Sequence, residues 1–380
     1  MGVMNGGKKP LPKPIPERIR EARESRGLTP DEFAEALDVS RQAVAQYETG
    51  QASPSGEVLS KIIAITAQPP LFFTTPRERA RQGTPFWRSL KRMEQHHRRR
   101  ITRRLEWVRD ITAYVGEFID LPPVNLPKID FDPENAIDDD IEKAAETLRD
   151  HWNLGRRAIL NLASVLEANG IVIVREVVDC PDMDAVSCWQ GGRPYLLSSG
   201  EVISGPRSKY NLAHELGHIL LHASVELSID NLSRIERQAN RFAGAFLLPR
   251  ETFSNEVLGT SVSYFKSLKA RWGVAIAAMA YRCKDLKIFN ENQHSYLMRQ
   301  MNALRIRNPE PLDEMFPVEK PSMLAQSLKM LIEEGVQNRE QVETALTLNL
   351  GDIESLCGVP KGFLDARVVQ FQPRPRDIPV

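Results

Sequence analysis

The chain has 380 residues, of which 42% are hydrophobic and 26% charged, a composition typical of globular proteins. Its length exceeds what one hydrophobic core ordinarily organises, so two or three domains are expected. No apolar run approaches the roughly 18 residues needed to cross a bilayer, and the N-terminus lacks the apolar stretch of a secretory signal. The four cysteines show no CxxC spacing, which argues against a disulfide framework or a cysteine-based zinc cluster. We therefore expect a cytoplasmic protein without membrane contact.

Charge is distributed unevenly along the chain. Residues 1–110 contain 21 Lys and Arg against 13 Asp and Glu, whereas the remaining residues contain 29 against 37. The positive excess favours a polyanionic partner. Double-stranded DNA is the partner we expect, because a DNA-binding pattern lies in the same portion. Ordinary patchiness of a protein surface is the alternative.

The first two predicted helices follow a disordered start. Residues 1–15 are rich in Pro, Gly and Lys, and we predict that they are disordered. Residues 17–67 then have the spacing of a helix-turn-helix unit, with the first helix ending before Gly27. Thr29, followed by Glu32, has the pattern of a capping box and begins the second helix.

The third helix is the predicted DNA-reading helix. Its expected N-cap is Ser40, and Val44 is expected to pack inward. On its outer face, Arg can contact guanine and Gln can contact adenine in the major groove. The predicted DNA-binding residues are Ser40, Arg41, Gln42 and Gln46. A small helical bundle that contacts another protein is the alternative.

A long amphipathic helix is predicted next. Thr84-Pro85 has the pattern of a helix start, and apolar residues recur every three or four positions up to Ile119. Residues 77–109 hold 12 Lys and Arg against 3 Asp and Glu. Two interpretations of this charge stay open: contact with DNA phosphates, or the solvated face of a connecting helix.

The second half of the chain has a mixed pattern. Two helices are predicted within 141–168, and strands at 171–174, 185–189 and 195–198, with a turn at Gly191-Gly192 between the last two. Helices are predicted at 208–223 and 233–247, and one or two more within 262–285. In the tail, the pattern indicates helices near 322–335 and 338–347.

The segment His214-Glu215-Leu216-Gly217-His218 is the strongest chemical motif. Two histidines four residues apart lie on one face of a helix, so both imidazoles can bind one ion. Neutral imidazole nitrogens suit Zn²⁺, with Mn²⁺ as an alternative ion. Glu215 is the predicted catalytic base for a water that the metal activates. The alternative is a pair of helix histidines without a metal.

A third ligand must come from elsewhere in the chain. The HExxHxxGxxH pattern of metzincins fails, because its last position is Ser224. His222 lies two turns beyond His214, a poor geometry for one tetrahedral ion, so we interpret it as a hydrogen-bond or packing partner of the site. Glu236, on the next predicted helix, is the favoured ligand. Asn240 shares the face of Glu236 and is predicted to hydrogen-bond a ligand histidine.

The N-terminal unit resembles a known family of DNA-binding domains. Residues 17–65 are similar to the XRE (Cro/C1-type) helix-turn-helix, on the strength of Leu28-Thr29, Phe33-Ala34, Val39-Ser40 and Tyr47-Glu48-Thr49-Gly50. Pro30 departs from that family, which usually has a phosphate-contacting Gln there. The resemblance implies binding to a double-stranded operator, and a homodimer is expected because such units usually read two half-sites.

Residues from about 142 to 285 resemble the ImmA/IrrE metallopeptidase family. The matching segments are 159–170, 207–218, 236–243 and 246–249. The resemblance implies a gluzincin-like site with His214, His218 and Glu236 as metal ligands and Glu215 as the catalytic residue. The family's sensor domains are not recognisable beyond residue 290.

These patterns predict a mainly α fold with a small β-sheet, organised in five segments. They are a disordered N-terminus (1–15), a helix-turn-helix domain (16–70), a basic helical linker (71–137), an α+β zincin-like peptidase domain of the gluzincin type (138–288) and a helical C-terminal extension (289–380).

Two functions are compatible with this organisation. The first is a DNA-binding transcriptional regulator whose zinc endopeptidase domain cleaves a repressor or antitoxin-type protein, and thereby controls stress, defence or mobile-element genes. The second is an XRE-family repressor or antitoxin paired with a toxin, in which the peptidase fold mainly binds the partner.

Overall fold

The computed structural model describes residues 13–77, 94–177, 183–201, 204–225, 228 and 230–365. Within these ranges the chain is mainly helical with one small sheet, which confirms the predicted fold class. The first eight helices are α1 (Pro16–Ser25), α2 (Pro30–Leu37), α3 (Arg41–Thr49), α4 (Gly56–Thr66), α5 (Pro70–Thr74), α6 (Gln95–Gly116), α7 (Asp138–His151) and α8 (Leu162–Ala168). After three strands follow α9 (Gly205–Leu221), α10 (Leu232–Leu247), α11 (Arg250–Glu256), α12 (Val262–Trp272), α13 (Ile276–Asp285), α14 (Glu291–Ala303), α15 (Met323–Glu333), α16 (Arg339–Leu346) and α17 (Leu350–Cys357).

Local capping explains where the helices of the N-terminal unit begin. Thr29 accepts a hydrogen bond from the Glu32 amide, and the Glu32 carboxylate accepts one from the Thr29 amide, so the predicted capping box is present. Ser40 accepts from the amide of Ala43 and starts α3. Asp38 adopts a left-handed conformation with φ of 59°, which makes the sharp turn between α2 and α3.

Helix α6 is an element of the core as well as a connection. Its predicted start at Thr84-Pro85 lies outside the described residues, and it ends at Gly116, three residues before the predicted end. One face is buried, and the buried Arg104 and the partly exposed Arg103 beside it pair with carboxylates of the same chain. These two arginines therefore stabilise contacts within the protein.

The sheet has the order β1-β3-β2, with β1 at Val172–Glu176, β2 at Ala185–Gln190 and β3 at Arg193–Ser199. The central strand β3 runs parallel to β1 and antiparallel to β2. Gly191 and Gly192 both have positive φ and form the tight turn between β2 and β3.

The sheet separates two hydrophobic clusters. Alternating residues such as Val172, Val174 and Leu197 face the first cluster, which also contains the helix-turn-helix core, α6 and the C-terminal helices. Ile173 and Leu196 face the second cluster, which contains α7 to α14. The side chains alternate because successive residues of a strand point to opposite faces. Both clusters thus share one sheet, and the first crosses the predicted linker and C-terminal boundaries.

The C-terminal segment contains more regular structure than the sequence pattern predicted. Helices α15 and α16 lie where they were expected, whereas α14 and α17 were not predicted; α11, in the preceding segment, was not predicted either. The capping box of Asn290 with Gln293 marks the start of α14 and was the missed signal. Helices α15 to α17 pack on α6, and α15 and α17 also contact β1. None of the described helices is both long and apolar enough to cross a membrane.

Candidate metal centre

Helix α9 places the two histidines of the HExxH motif. The helix begins with Pro206 in its first turn, where proline costs no hydrogen bond, and His222 follows its last residue. His214 and His218 lie one turn apart on the side that faces α10, and each is only 1% exposed. Burial in this position leaves both rings with little access to solvent.

Helix α10 places Glu236 opposite the histidines. Its buried face packs closely on α9, and Gly217 lies in this contact. A Cβ atom at Gly217 would lie 3.1 Å from Cδ1 of Phe242 and 3.3 Å from Cα of Ala239. The glycine of the motif therefore permits the two helices to approach closely enough for Glu236 to reach the histidines.

The three side chains converge on one point. The Nε2 atoms of His214 and His218 are 3.1 Å apart, and the Glu236 carboxylate oxygens lie 3.4 Å and 3.3 Å from them. In the described part of the chain, this is the group whose ligand atoms could hold a metal ion. Ligands at about 2.0–2.1 Å from a tetrahedral zinc are about 3.3 Å from one another, so the donor set fits Zn²⁺.

The electrostatics of the cluster follow from burial and proximity. Burial alone would raise the pKa of Glu236, but the imidazoles of His214 and His218 beside its carboxylate outweigh burial and hold the pKa well below its usual range. Burial, aided by the neighbouring His218, lowers the pKa of the His222 imidazole to about 3. Glu236 is thus an anion and His222 a neutral ring at ordinary pH.

Glu215 is anchored by a residue that the sequence analysis did not single out. The hydroxyl of Ser187, on β2, donates a hydrogen bond to Oε2 of Glu215 at 2.6 Å, and both residues are buried. Nothing in the local sequence marks Ser187, because its contact with Glu215 arises from the packing of β2 on α9. This bond orients the carboxylate.

His222 and Asn240 lie near the cluster in different relations to it. His222 is completely buried, and its Nδ1 lies 3.1 Å from Nδ1 of His218. Asn240 donates from its amide to the main-chain carbonyl of Glu236 at 2.8 Å. This bond of Asn240 supports helix α10 instead of a histidine ring.

A cleft opens beside the cluster. It has a volume of about 1030 Å³, and its walls include Arg207, Tyr210, Asn211, Arg237 and Asn240. Tyr210 and Asn211 precede His214 by about one helical turn, and Asn240 follows Glu236 by one turn. A space of this size next to the three converging side chains can accommodate several residues of a peptide.

The predicted DNA-binding residues lie on α3, away from the C-terminal helices. Ser40 and Gln42 are exposed, Gln46 is partly buried, and the Arg41 side chain is 71% exposed. Val44, on the opposite face, is buried in the core as predicted. The helix therefore presents Arg41 and Gln42 to solvent on a face that a DNA groove could receive.

Comparison with protein-family models decides the nature of the two segments. Residues 166–284 match the model of the IrrE N-terminal-like domain, of the peptidase family M78. Residues 166–284 are IrrE-like. Residues 19–71 match a helix-turn-helix model, so both resemblances noted in the sequence are confirmed in the predicted order. A search of the curated proteins finds no match to the chain.

The matches support a DNA-binding regulator with a metallopeptidase-like domain. The IrrE-like segment spans α9 and α10 and thus contains the whole His-His-Glu cluster. The helix-turn-helix match spans α1 to α4.

Proposed function

We propose that the chain is a DNA-binding transcriptional regulator whose zinc endopeptidase domain cleaves a repressor or antitoxin-type regulatory protein. Control of stress, defence or mobile-element genes would follow from that cleavage. The observation that supports the peptidase is the convergence of His214, His218 and Glu236 on one point. The observation that supports DNA binding is the exposed α3 within the helix-turn-helix match.

His214, His218 and Glu236 would hold the metal. Two imidazoles and one carboxylate favour Zn²⁺, with Mn²⁺ as the alternative. When bound, the ion would activate water and polarise the peptide carbonyl. The remaining steps belong to the chain's own residues: Glu215 accepts the proton of the attacking water and passes it to the leaving amine. Ser187 keeps the Glu215 carboxylate oriented through its hydrogen bond.

The cleft would bind the substrate chain. Two of its lining residues, Tyr210 and Asn240, lie one helical turn from His214 and Glu236, so a bound peptide would lie close to the reacting groups. On DNA, two copies of the chain would contact two operator half-sites, with Ser40, Arg41, Gln42 and Gln46 in the major groove. His222 and Asn240 would support the site without binding the metal.

Replacement of Glu215 by Gln tests the peptidase. The variant should retain zinc at the wild-type ratio, because the metal ligands are unchanged, yet produce no cleavage. Wild-type and variant proteins are each added to a lysate of the cells that encode the protein, and new protein N-termini are mapped by mass spectrometry. Termini that appear only with the wild type identify substrates.

One control and one contrary outcome make this experiment decisive. Glu236→Ala should lose both zinc and cleavage, since it removes a predicted ligand. If Glu215→Gln generates the same new termini as the wild type, the proposed catalytic role of Glu215 is wrong.

A second function is favoured by the burial of the centre. Glu215 is 2% exposed and the histidines 1% exposed, and none of them is among the residues that line the cleft, so a partner could occupy the cleft without touching them. In that case the chain is an XRE-type repressor or antitoxin that binds a toxin. The lysate experiment distinguishes the two functions, because the partner-binding module yields no new termini with either protein.

A further inference from the structure

A series of buried hydrogen bonds leads away from the metal centre. Nδ1 of His218 lies 3.1 Å from Nδ1 of His222, and Nε2 of His222 lies 3.0 Å from Oε1 of Gln238. Nε2 of Gln238 donates to the main-chain carbonyl of Pro133 at 2.9 Å. His222 and Gln238 are both completely buried, so water cannot replace a lost partner there.

The carbonyl of Pro133 fixes the direction of every bond in this series. A carbonyl oxygen only accepts, so the Gln238 atom that faces it is the amide nitrogen, and the amide oxygen faces His222. That oxygen also only accepts, so His222 carries its hydrogen on Nε2. In a neutral imidazole the other nitrogen then has a lone pair, and Nδ1 of His222 can only accept.

The consequence for the metal ligand is direct. His218 must donate from Nδ1 to His222, which leaves the lone pair of His218 on Nε2. This Nε2 atom is the one that faces His214 and the Glu236 carboxylate. The bonding pattern thus presents a lone pair, and no hydrogen, to the point where the three side chains converge.

The loop end of the series is itself held in place. The carboxylate of Asp132 accepts hydrogen bonds from the amide of Glu134 at 2.9 Å and from the side chain of Asn135 at 2.7 Å. The main-chain carbonyl of Asp132 accepts from the amide of Ala136. These bonds form a compact turn around Pro133 and fix the direction of its carbonyl.

The other histidine lacks comparable support. Nδ1 of His214 is buried and has no hydrogen-bond partner among the residues that the structure describes. Ligand histidines are normally oriented through a hydrogen bond from their second nitrogen. His218 is therefore the ligand whose ring and tautomer are fixed by the chain.

We propose that Gln238, held by the Pro133 carbonyl, is a positioning residue that sets the tautomer of His222 and through it presents Nε2 of His218 to the metal. This inference rests on the metal site of the proposed function. It also assigns to the turn at 132–136 a role in metal affinity, although the turn contributes no ligand.

Replacement of Gln238 by Leu tests the proposal without any substrate. Leu has a similar volume, but it can neither accept a hydrogen bond from His222 nor donate one to the carbonyl of Pro133. Loss of such an outer hydrogen bond typically weakens metal binding by about 10–100-fold, and the zinc Kd of the full-length variant should rise by this factor. The Kd is measured by competition with a chromogenic chelator on protein whose folding is verified by circular dichroism.

Gln68→Leu is the matched control. Gln68 is also a buried glutamine with two hydrogen bonds, to Asp352 and to the amide of Asn349, but it lies at the first cluster, away from the metal centre. Both variants lose stability, and only Gln238→Leu should lose zinc affinity. A wild-type zinc Kd in Gln238→Leu, or an equal loss in Gln68→Leu, overturns the proposal. Failure of the wild type to bind zinc contradicts the metal site instead.

A spectroscopic readout tests the tautomers directly. In protein labelled with ¹⁵N-histidine, long-range ¹⁵N–¹H correlation spectra distinguish the protonated nitrogen of each ring. The wild type should show His222 protonated on Nε2 and His218 on Nδ1. In Gln238→Leu, His222 should populate both tautomers. Protonation of His222 on Nδ1 in the wild type would contradict the bonding pattern.

Discussion

The motif residue whose role is clearest from packing is Gly217. The sequence explains His214, Glu215 and His218 by their chemistry, but the glycine between them has none. The structure places Gly217 in the contact between α9 and α10, against Ala239. Ala239 follows Glu236 by about one turn of α10. The absence of a side chain at Gly217 thus allows the short distance between the histidines on α9 and Glu236 on α10.

Substitution of Gly217 by Ala should disturb the metal centre through packing alone. The added methyl group would press on Phe242 and Ala239. Overpacking of this kind costs about 1–3 kcal/mol of unfolding free energy, and the removal of a glycine from the helix interior offsets up to about 1 kcal/mol of it. Because α10 would shift, the zinc Kd should also rise. Denaturant unfolding and chelator competition measure the two effects.

Gly244→Ala provides the comparison on the facing helix. There the new methyl would meet only the flexible Cδ of Arg282 at 3.5 Å. Removal of a glycine from a helix interior stabilises by up to about 1 kcal/mol, so this variant should be neutral or more stable with unchanged zinc affinity. If the two variants have the same unfolding free energy and the same zinc Kd, the close helix contact at Gly217 does not control metal binding.

Among the elements, α3 and α6 were both candidates for DNA contact and have different roles in the fold. Both helices are basic or polar in sequence. In the structure Arg41 is exposed on α3, whereas Arg103 and Arg104 of α6 pair with carboxylates of other elements. The arginines of α3 and α6 differ because only α6 lies between other elements of the fold.

Replacement of Arg41 by Ala should reduce sequence-specific DNA binding. A bidentate base contact provides about 1–3 kcal/mol of discrimination, so affinity for a site selected from random duplexes should fall by roughly 5–150-fold. Affinity for unrelated duplex should change much less. Fluorescence anisotropy on both duplexes measures the difference.

Lys143→Ala is the control for simple loss of charge. Lys143 is an exposed cation on α7 and belongs to no predicted DNA contact. Its removal should leave the affinity for both duplexes close to that of the wild type. If Arg41→Ala weakens binding to selected and unrelated DNA equally, α3 does not read sequence in the proposed way.

At the scale of the whole molecule, one buried carboxylate joins distant parts of the chain. The carboxylate of Asp352 on α17 accepts hydrogen bonds from Nη1 and Nη2 of Arg26 at 2.8 Å and 2.7 Å. It also accepts hydrogen bonds from Arg104 and Gln68. Arg104 in turn pairs with Glu176 on β1. The C-terminal helix is thereby bound to the helix-turn-helix unit, to α6 and to the sheet.

Replacement of Asp352 by Asn should destabilise the whole chain in a pH-dependent manner. Removal of one partner from a buried ion pair costs about 3–5 kcal/mol. Burial raises the pKa of Asp352, but Arg104 and Arg26 outweigh burial and hold it below its ordinary value of 3.8. The ionised Asp352 therefore contributes its full stabilisation above the ordinary pKa of 3.8. This stabilisation is lost as the pH falls through the lower pKa that Asp352 has in the folded state.

Denaturant unfolding at pH 7, 5 and 3 measures this dependence. The difference between wild type and Asp352→Asn should be the same at pH 7 and 5 and should shrink at pH 3. Asp365→Asn, which removes an exposed ion pair with Arg339, should cost no more than about 1 kcal/mol at any pH. A difference that is independent of pH would contradict the assigned role of the ionised carboxylate.

Features that depend on local spacing could be predicted from the amino-acid sequence alone. The capping residues Thr29 and Ser40 fixed where α2 and α3 begin, because caps act within one helical turn. The i, i+4 spacing placed His214 and His218 on one face for the same reason. The sheet strands and the pair of helices α9 and α10 were also predictable from hydrophobic periodicity.

Contacts between residues far apart in the chain could not be predicted, because they depend on how the elements pack. Ser187 contacts Glu215 across 28 residues and Gln238 contacts His222 across 16, distances over which a sequence pattern has no fixed geometry. The pairing of the α6 arginines and the packing of α15 to α17 beside α6 likewise depend on which surfaces are buried together. Hydrophobic periodicity identifies the apolar face of a helix or strand. It does not identify which other element covers that face, because all the apolar faces compete for burial in the two hydrophobic clusters.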